Sequence, residues 1–275
     1  PSSADSPPEP LMGGLYAIAF QRPLQGAGGG LPAFAATDRR SGRADLMAVQ
    51  ALPQMPPRLQ ALALLAQAPT LNGPAESLLA PLAHGPASPP GAAPAWFVIS
   101  PAPPGPPLWP PGAASQRAWA EAELLDCLLR PAAEALAWLQ SRHLTHRAIR
   151  PDNLFRAPAG GPVTLGGAWA APSALLQPAL FEPPYSAMCL PAGRGAGSIA
   201  DDVYALGALL LTLALGRLPL AGLDDHAIIR AKLERGSFAA LAGEARLPPA
   251  IADLARGMLA EDPEHRPPPA LLADP

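Results

Sequence analysis

His146-Arg147-Ala148-Ile149-Arg150-Pro151-Asp152-Asn153-Leu154-Phe155 packs charged, amide and apolar residues into ten positions around one proline. It follows a helical segment, Ala132–Arg142, with Leu136 and Leu139 facing inward, and it precedes a long irregular run, Ala157–Ser198, rich in Pro and Gly. Within it Arg147, Arg150 and Asp152 are charged, and Ala148 between them carries no titratable group. His146, lone among apolar neighbours, reads as a packing residue. His84, His143, His226 and His265 are scattered without metal-ligand spacing.

Downstream, Asp201–Leu215 is almost wholly apolar, which predicts a helix buried on every side. Two further helices are expected at His226–Glu234 and Ile251–Ala260. Upstream, Ser115–Leu129 is amphipathic with Ser115 as a fair N-cap, and Pro131 either kinks that helix or opens the next. Nearer the N-terminus, Leu15–Phe20, Leu31–Thr37 and Asp45–Leu52 read as strands of a meander. Gln25–Gly30 is glycine-rich, and Asp38–Arg43 makes a hairpin turn. A helix over Pro56–Gln67, with Leu59, Leu62, Leu65 and Ala66 at helical spacing, covers one face. Leu78–Leu82 and Trp96–Ile99 read as strands with a loop, His84–Pro94, between them. The Pro-rich segment 101–112 separates a mostly-β part from a mostly-α part and marks a hinge.

The expected organisation is a disordered lead-in over 1–10, a β-rich lobe over 11–100, the hinge, and a helical lobe over 113–275, of α+β class. Forty prolines and 25 glycines in 275 residues approach low-complexity composition, but they cluster between long apolar periodic segments. With 15% charged residues and a net charge of −3, there is no electrostatic case for nucleic acid or an acidic membrane surface. Cys127 and Cys189 make no disulfide framework and match no metal motif. No signal peptide is visible, and Val203–Leu215 is shorter than the roughly 20 residues that cross a bilayer. A cytoplasmic location is expected, and a start without Met leaves open a domain cut from something longer.

The segment 146–153 resembles the catalytic loop of the protein kinases, HRDxKPDN, at all but one position. The resemblance implies a small β-rich N-lobe and a larger helical C-lobe. It extends over nearly the whole chain, yet the charged positions are missing. Ala148 stands where kinases keep the aspartate that accepts the substrate hydroxyl proton. In GAGGGLPAFAATD, 26–38, Gly26 and Gly28 match the phosphate-cradling glycine loop, Leu31 replaces its third glycine, and Ala33 stands where a valine covers adenine. Ala48-Val49-Gln50 resembles the strand that carries the phosphate-binding lysine, with Gln50 in its place. Arg58–Gln67 offers no glutamate to pair with it. Gly167-Ala168-Trp169 occupies the positions of the metal-binding DFG. Asn153, the other metal ligand of the family, remains, and holding its own loop by hydrogen bonds is the preferred reading for it.

Structural marks survive. Asp202, opening DDVYALG, is expected to accept hydrogen bonds from the backbone of the 146–153 loop. Asp262–Pro267 resembles DPxxRP, and Glu182 is expected to pair with Arg266. In active kinases the residue at Arg147 meets a phosphate on the segment where Ser173 and Ser186 lie here. Trp169 is expected to fill the pocket behind Ala33, Val49 and Ile99. The resemblance implies a degenerate bacterial pseudokinase of Ser/Thr-kinase type, expected to be a regulatory or scaffolding module with a protein partner, no nucleic acid and no metal. ATP without Mg²⁺ is the one cofactor left open. Two alternatives stand beside it: a divergent kinase, with Asp152 as base, and a metal-independent nucleotide sensor.

Overall fold

In the computed structural model, which describes residues 11–66, 74–110 and 112–274, the N-terminal part is one antiparallel sheet in the order β1-β2-β3-β4-β6-β5. Its strands are β1 (Leu11–Met12), β2 (Tyr16–Pro23), β3 (Ala33–Asp38), β4 (Leu46–Gln50), β5 (Ala83–Ala87) and β6 (Ala95–Pro101), with α1 (Leu59–Ala66) between β4 and β5. The helical part holds α2 (Arg130–Gln140), α3 (Pro184–Ala187), α4 (Ile199–Leu215), α5 (Asp225–Arg235), α6 (Ser237–Ala242), α7 (Pro249–Met258) and α8 (Pro269–Leu272), plus a small hairpin of β7 (Leu154–Arg156) and β8 (Val163–Leu165). The expected α+β architecture with a β-rich and a helical lobe is what the chain adopts. The lead-in, 1–10, lies outside the described residues.

Three local readings change. The stretch 84–94 is not all loop: β5 occupies its start, and Pro86 is tolerated because β5 is an edge strand. Leu78–Leu82 is not a strand; Leu78 makes only an isolated bridge to Leu165. Ser115 caps no helix. The chain runs extended there, Gln116 N–H bonds the Gly216 carbonyl and Trp119 N–H that of Leu213. Gly216, the left-handed C-cap of α4 at φ 63°, is crowded by this strap and leaves no room for a Cβ. Helix begins near Glu121, and over Glu123–Leu129 it winds as a π turn, with Arg130 N–H reaching back to Leu125 O. Pro131, which has no N–H to give, sits just beyond and opens α2.

Alternation along β4 sends its residues to two different cores. Leu46 and Ala48 join Ile18, Phe97 and Ile99 on the outer face, whereas Met47 and Val49 join Ala33 and Val98 on the face toward the helical lobe. Register fixes this, since Val49 lies opposite both Ala33 and Val98. α4 is buried along nearly its whole length, as all-round apolarity requires. Among the described residues, no helix is long and apolar enough to cross a membrane.

Candidate functional site: a closed cleft above a buried ionic network

The cleft between the sheet and the 146–153 loop is lined by Ala27, Gly28, Leu31, Val49, Val98 and Ser100 from above, and by Ala148, Arg150, Gly167 and Trp169 from below. It is nearly closed. About 30 Å³ of free space remains. That holds a water or two, while ligand pockets run to roughly 300–1,000 Å³. The glycine loop comes down onto the loop beneath it: Arg150 Nη2 donates to the Gly29 carbonyl, and Gly29, at φ 57°, touches the Asn153 amide so closely that a Cβ would collide. Trp169, 2% exposed, stands at the back of the cleft, gives its indole N–H to Leu79 O at 3.3 Å, and lies under the Arg58 guanidinium at 5.1 Å.

Several residues singled out from sequence face elsewhere. Gln50 lines an outer surface groove with Met55, Leu59 and Trp96, and Ala48 is buried on the outer face. A period-two strand allows only every second residue into the cleft, and on β4 that residue is Val49, so Ala48, a nucleotide-binding candidate by the resemblance, and Gln50, matched to the lysine, stand on the other face. Ile99 likewise faces outward, and Val98 and Ser100 take its expected place. Gly26 sits in a shallow groove with Pro23 and Gln25, outside the cleft. Gly28 does line it, and Ala33 packs just behind, opposite Val49.

Asn153 is fully buried, and its Nδ2 donates to Ala148 O at 2.9 Å and Gly167 O at 3.2 Å. That leaves Oδ1 facing Gly29 and Gly166 with no partner. One neutral amide oxygen, with Ala148 and Gly167 beside it, is a poor donor set for Mg²⁺, which prefers carboxylates. The residues present do not fit that ion. Among the described residues, no cluster of three His, Cys, Asp or Glu is placed to hold a metal. Asp152 is half exposed and its carboxylate pairs with Arg150 at 3.0 Å.

Behind the cleft the composition reverses. Asp202, wholly buried at the start of α4, accepts from the N–H groups of His146 and Arg147, both at 2.7 Å. Burial raises its carboxyl to about 6, against the pull of Arg147 and those two N–H groups. His146 gives Nε2–H to Gly166 O at 2.9 Å, and its Nδ1 has no partner. Protonation would bury a second N–H with nothing to accept it, and burial holds this histidine down to about 3. Arg58, one residue before α1, donates to the carbonyls of His146 (2.9 Å) and Thr145 (2.7 Å) and is pulled down to about 10 by burial.

The expected Glu182–Arg266 pair does not form. Glu182 meets Arg147 at 2.7 Å, with the two side chains 0% and 1% exposed. Arg266 instead approaches Asp201 at 3.5 Å, bonds the carbonyls of Ala200 (3.0 Å) and Ala260 (2.8 Å), and stacks on Tyr204. Asp201 lies between the two arginines, in the first turn of α4, and takes the partner that Glu182 was expected to have. Lys232 holds the main chain at Glu182. Its buried ammonium donates to the carbonyls of Ala179, Leu180 and Glu182, at 2.8, 2.8 and 2.9 Å, and fixes that turn of backbone. Burial lowers Lys232 to about 7.

Arg58, Arg150 and Lys232 were not recognised from the sequence. A signal existed for Lys232: it is the single lysine of the chain. It is also the reason that no relocated lysine can serve the cleft.

A crystal structure of Rad53 1–466 in complex with AMP-PNP superposes with a TM-score of 0.67 over 94% of this chain and 64% of that one, at 17% identity. The chain has a protein-kinase fold. A stretch of 136 residues is 28% identical to the mitosis inducer protein kinase cdr2 of Schizosaccharomyces pombe, covering 42% of this chain and 17% of that kinase. The kinase-like chain therefore spans only part of the length of either relative. No family model matches it. In this kinase-like frame Ala148 and Gly167 sit in the floor of the cleft, and Arg150 reaches up to the glycine loop instead of into open space.

Proposed function

We propose that the chain is a pseudokinase domain, one that acts by binding a protein partner and does not transfer phosphate. The observation that carries this reading is the lining of the cleft. Among the described residues it contains no carboxylate and no lysine, and its two arginines are already engaged, Arg147 with Glu182 and Arg150 with Asp152 and the Gly29 carbonyl. Phosphoryl transfer is mostly positioning and charge stabilisation, so a lining of Ala, Gly, Val and Leu leaves little to act on a transferring phosphate. The composition of the chain supports a protein as partner over nucleic acid, since the net charge is −3.

Asp152 is a weak substitute base. It is tied to Arg150 and does not line the cleft. A second reading, nucleotide binding without metal, is favoured by one feature: Arg150 Nη1 is buried under the glycine loop without a hydrogen-bond partner. Calorimetric titration with ATP, with and without Mg²⁺, separates the readings, together with a phosphotransfer assay on a generic protein substrate. No heat and no transfer are expected. Heat that persists in EDTA would favour the sensor. Mg²⁺-dependent transfer that disappears in Asp152→Ala would defeat the pseudokinase reading.

A further inference from the structure

We infer that Glu182 is a resident counter-anion which holds the segment 174–198 in place, so that the order of this segment needs no added charge such as a phosphate. The segment contains little regular structure, only α3 and short turns, and cannot be held by its own backbone ladder. Leu180, Phe181 and Ala187 anchor it in apolar clusters, and a small number of polar side chains hold the rest. Arg147 projects from the 146–153 loop at φ 58°, a left-handed conformation that a non-glycine residue adopts under constraint. Its guanidinium meets Glu182 Oε2 at 2.7 Å, Ser186 Oγ at 3.2 Å and Asp201 Oδ2 at 3.5 Å. Ser186 in turn donates to the same Glu182 oxygen at 2.5 Å. Arginine and carboxylate are both about 99% or more buried, so solvent screens this contact little.

The backbone of Glu182 is fixed from the opposite side. Lys232 caps three carbonyls of the 179–182 turn, and Gln177 Nε2 bonds Ile149 O at 2.9 Å. Glu182 is thus clamped between one cation that it neutralises and another that grips its main chain. The charge around Arg147 is already balanced by Glu182, Asp201 and Asp202. A phosphate on Ser186 would be placed against Glu182 and repelled. Ser173 lies apart, in a surface groove with Arg58 and His143.

The single lysine makes this testable. Lys232 is the only side-chain amine of the chain and lies under the turn that carries Glu182. Its reaction with an amine-acylating reagent, read by peptide mass spectrometry, reports release of that turn. In the wild type Lys232 should stay unreactive, identically before and after phosphatase treatment. In Glu182→Ala it should react faster by about tenfold or more, as a locally opened segment exposes it. Formate should restore protection by entering the vacated place beside Arg147, and chloride at equal ionic strength should not. Glu182→Gln keeps the shape and loses the charge; should Glu182→Ala not fold, it is read in the same way, and faster labelling is expected. Protection unchanged in the variants would overturn the inference, as would equal rescue by chloride or a wild type that becomes reactive after phosphatase.

Discussion

The cleft and the network behind it share one loop, and adjacent residues of that loop serve opposite ends. Ala148 faces a space lined by Ala, Gly, Val and Leu, while Arg147, next to it, is surrounded by Glu182, Asp201 and Asp202. Among the described residues the cleft lining holds neither a carboxylate nor a lysine. The groups present in the network are those that satisfy buried backbone and balance buried charge. In this chain the buried charge is gathered where irregular backbone has to be held, and removing one member leaves an unpaired group in the interior, a cost on the order of several kcal/mol.

Experiments on the network should give the largest effects. Asp202→Ala removes the acceptor for two buried N–H groups and a counter-charge for Arg147, and should cost about 3–5 kcal/mol, read as a shift in the denaturant midpoint. Glu182→Gln should fall in the same range of about 3–5 kcal/mol, and a double-mutant cycle should couple residue 182 strongly to Arg147 and weakly to Arg266. Strong coupling to Arg266 would break the Glu182–Arg147 pairing.

The next effect is in pH. His146 titrates near 6.5 when unfolded and about 3 when folded, so its stabilisation is present above 6.5 and is lost as pH falls toward 3, by up to about 1.4 kcal/mol per unit. Asp202 has the opposite sign. Its folded value is raised from 3.8 to about 6, so its contribution declines as pH rises through that window. The two oppose each other between about pH 4 and 6. His146→Phe removes one side of the balance, and the stability advantage of wild type over this variant should grow with pH up to about 6.5. A difference independent of pH would remove His146 from the network's titration.

Effects at the cleft should be smaller. Arg150→Ala releases the glycine loop from beneath and leaves Asp152 free at the surface. Its expected cost is about 1–2 kcal/mol, with a gain in fluorescence from a fluorescent ATP analogue that the wild type does not give. An equal signal from both proteins would mean that the cleft opens without help. Gln50→Ala, which faces the outer groove, should change stability by no more than about 0.5 kcal/mol and leave nucleotide behaviour as it was.

Much of this was legible beforehand because it depends on local pattern. The HRAIRPDN stretch, the apolar run of α4 and the missing acids at 148 and 167 are statements about residue type, and residue type is what a sequence records. The facing of β4 was not legible. Period two makes a one-residue slip invert every side chain, and only pairing with β3 and β6 fixed Val49 inward and Gln50 outward. The edge position that admits Pro86 into β5, and the strap at Ser115 that displaced a helix start, came from neighbours far along the chain.

Residue order alone shows that positions 148 and 167 carry no ionisable group, because Ala and Gly lack one in any fold. Packing in three dimensions set who meets whom: that Glu182 answers Arg147, that Lys232 grips the turn beneath it, and that the glycine loop descends onto Arg150. Partners of buried charges are set by which elements are brought together, and several acids of equal chemistry compete for each cation. Distance and burial choose among them, and neither is written in the order of residues.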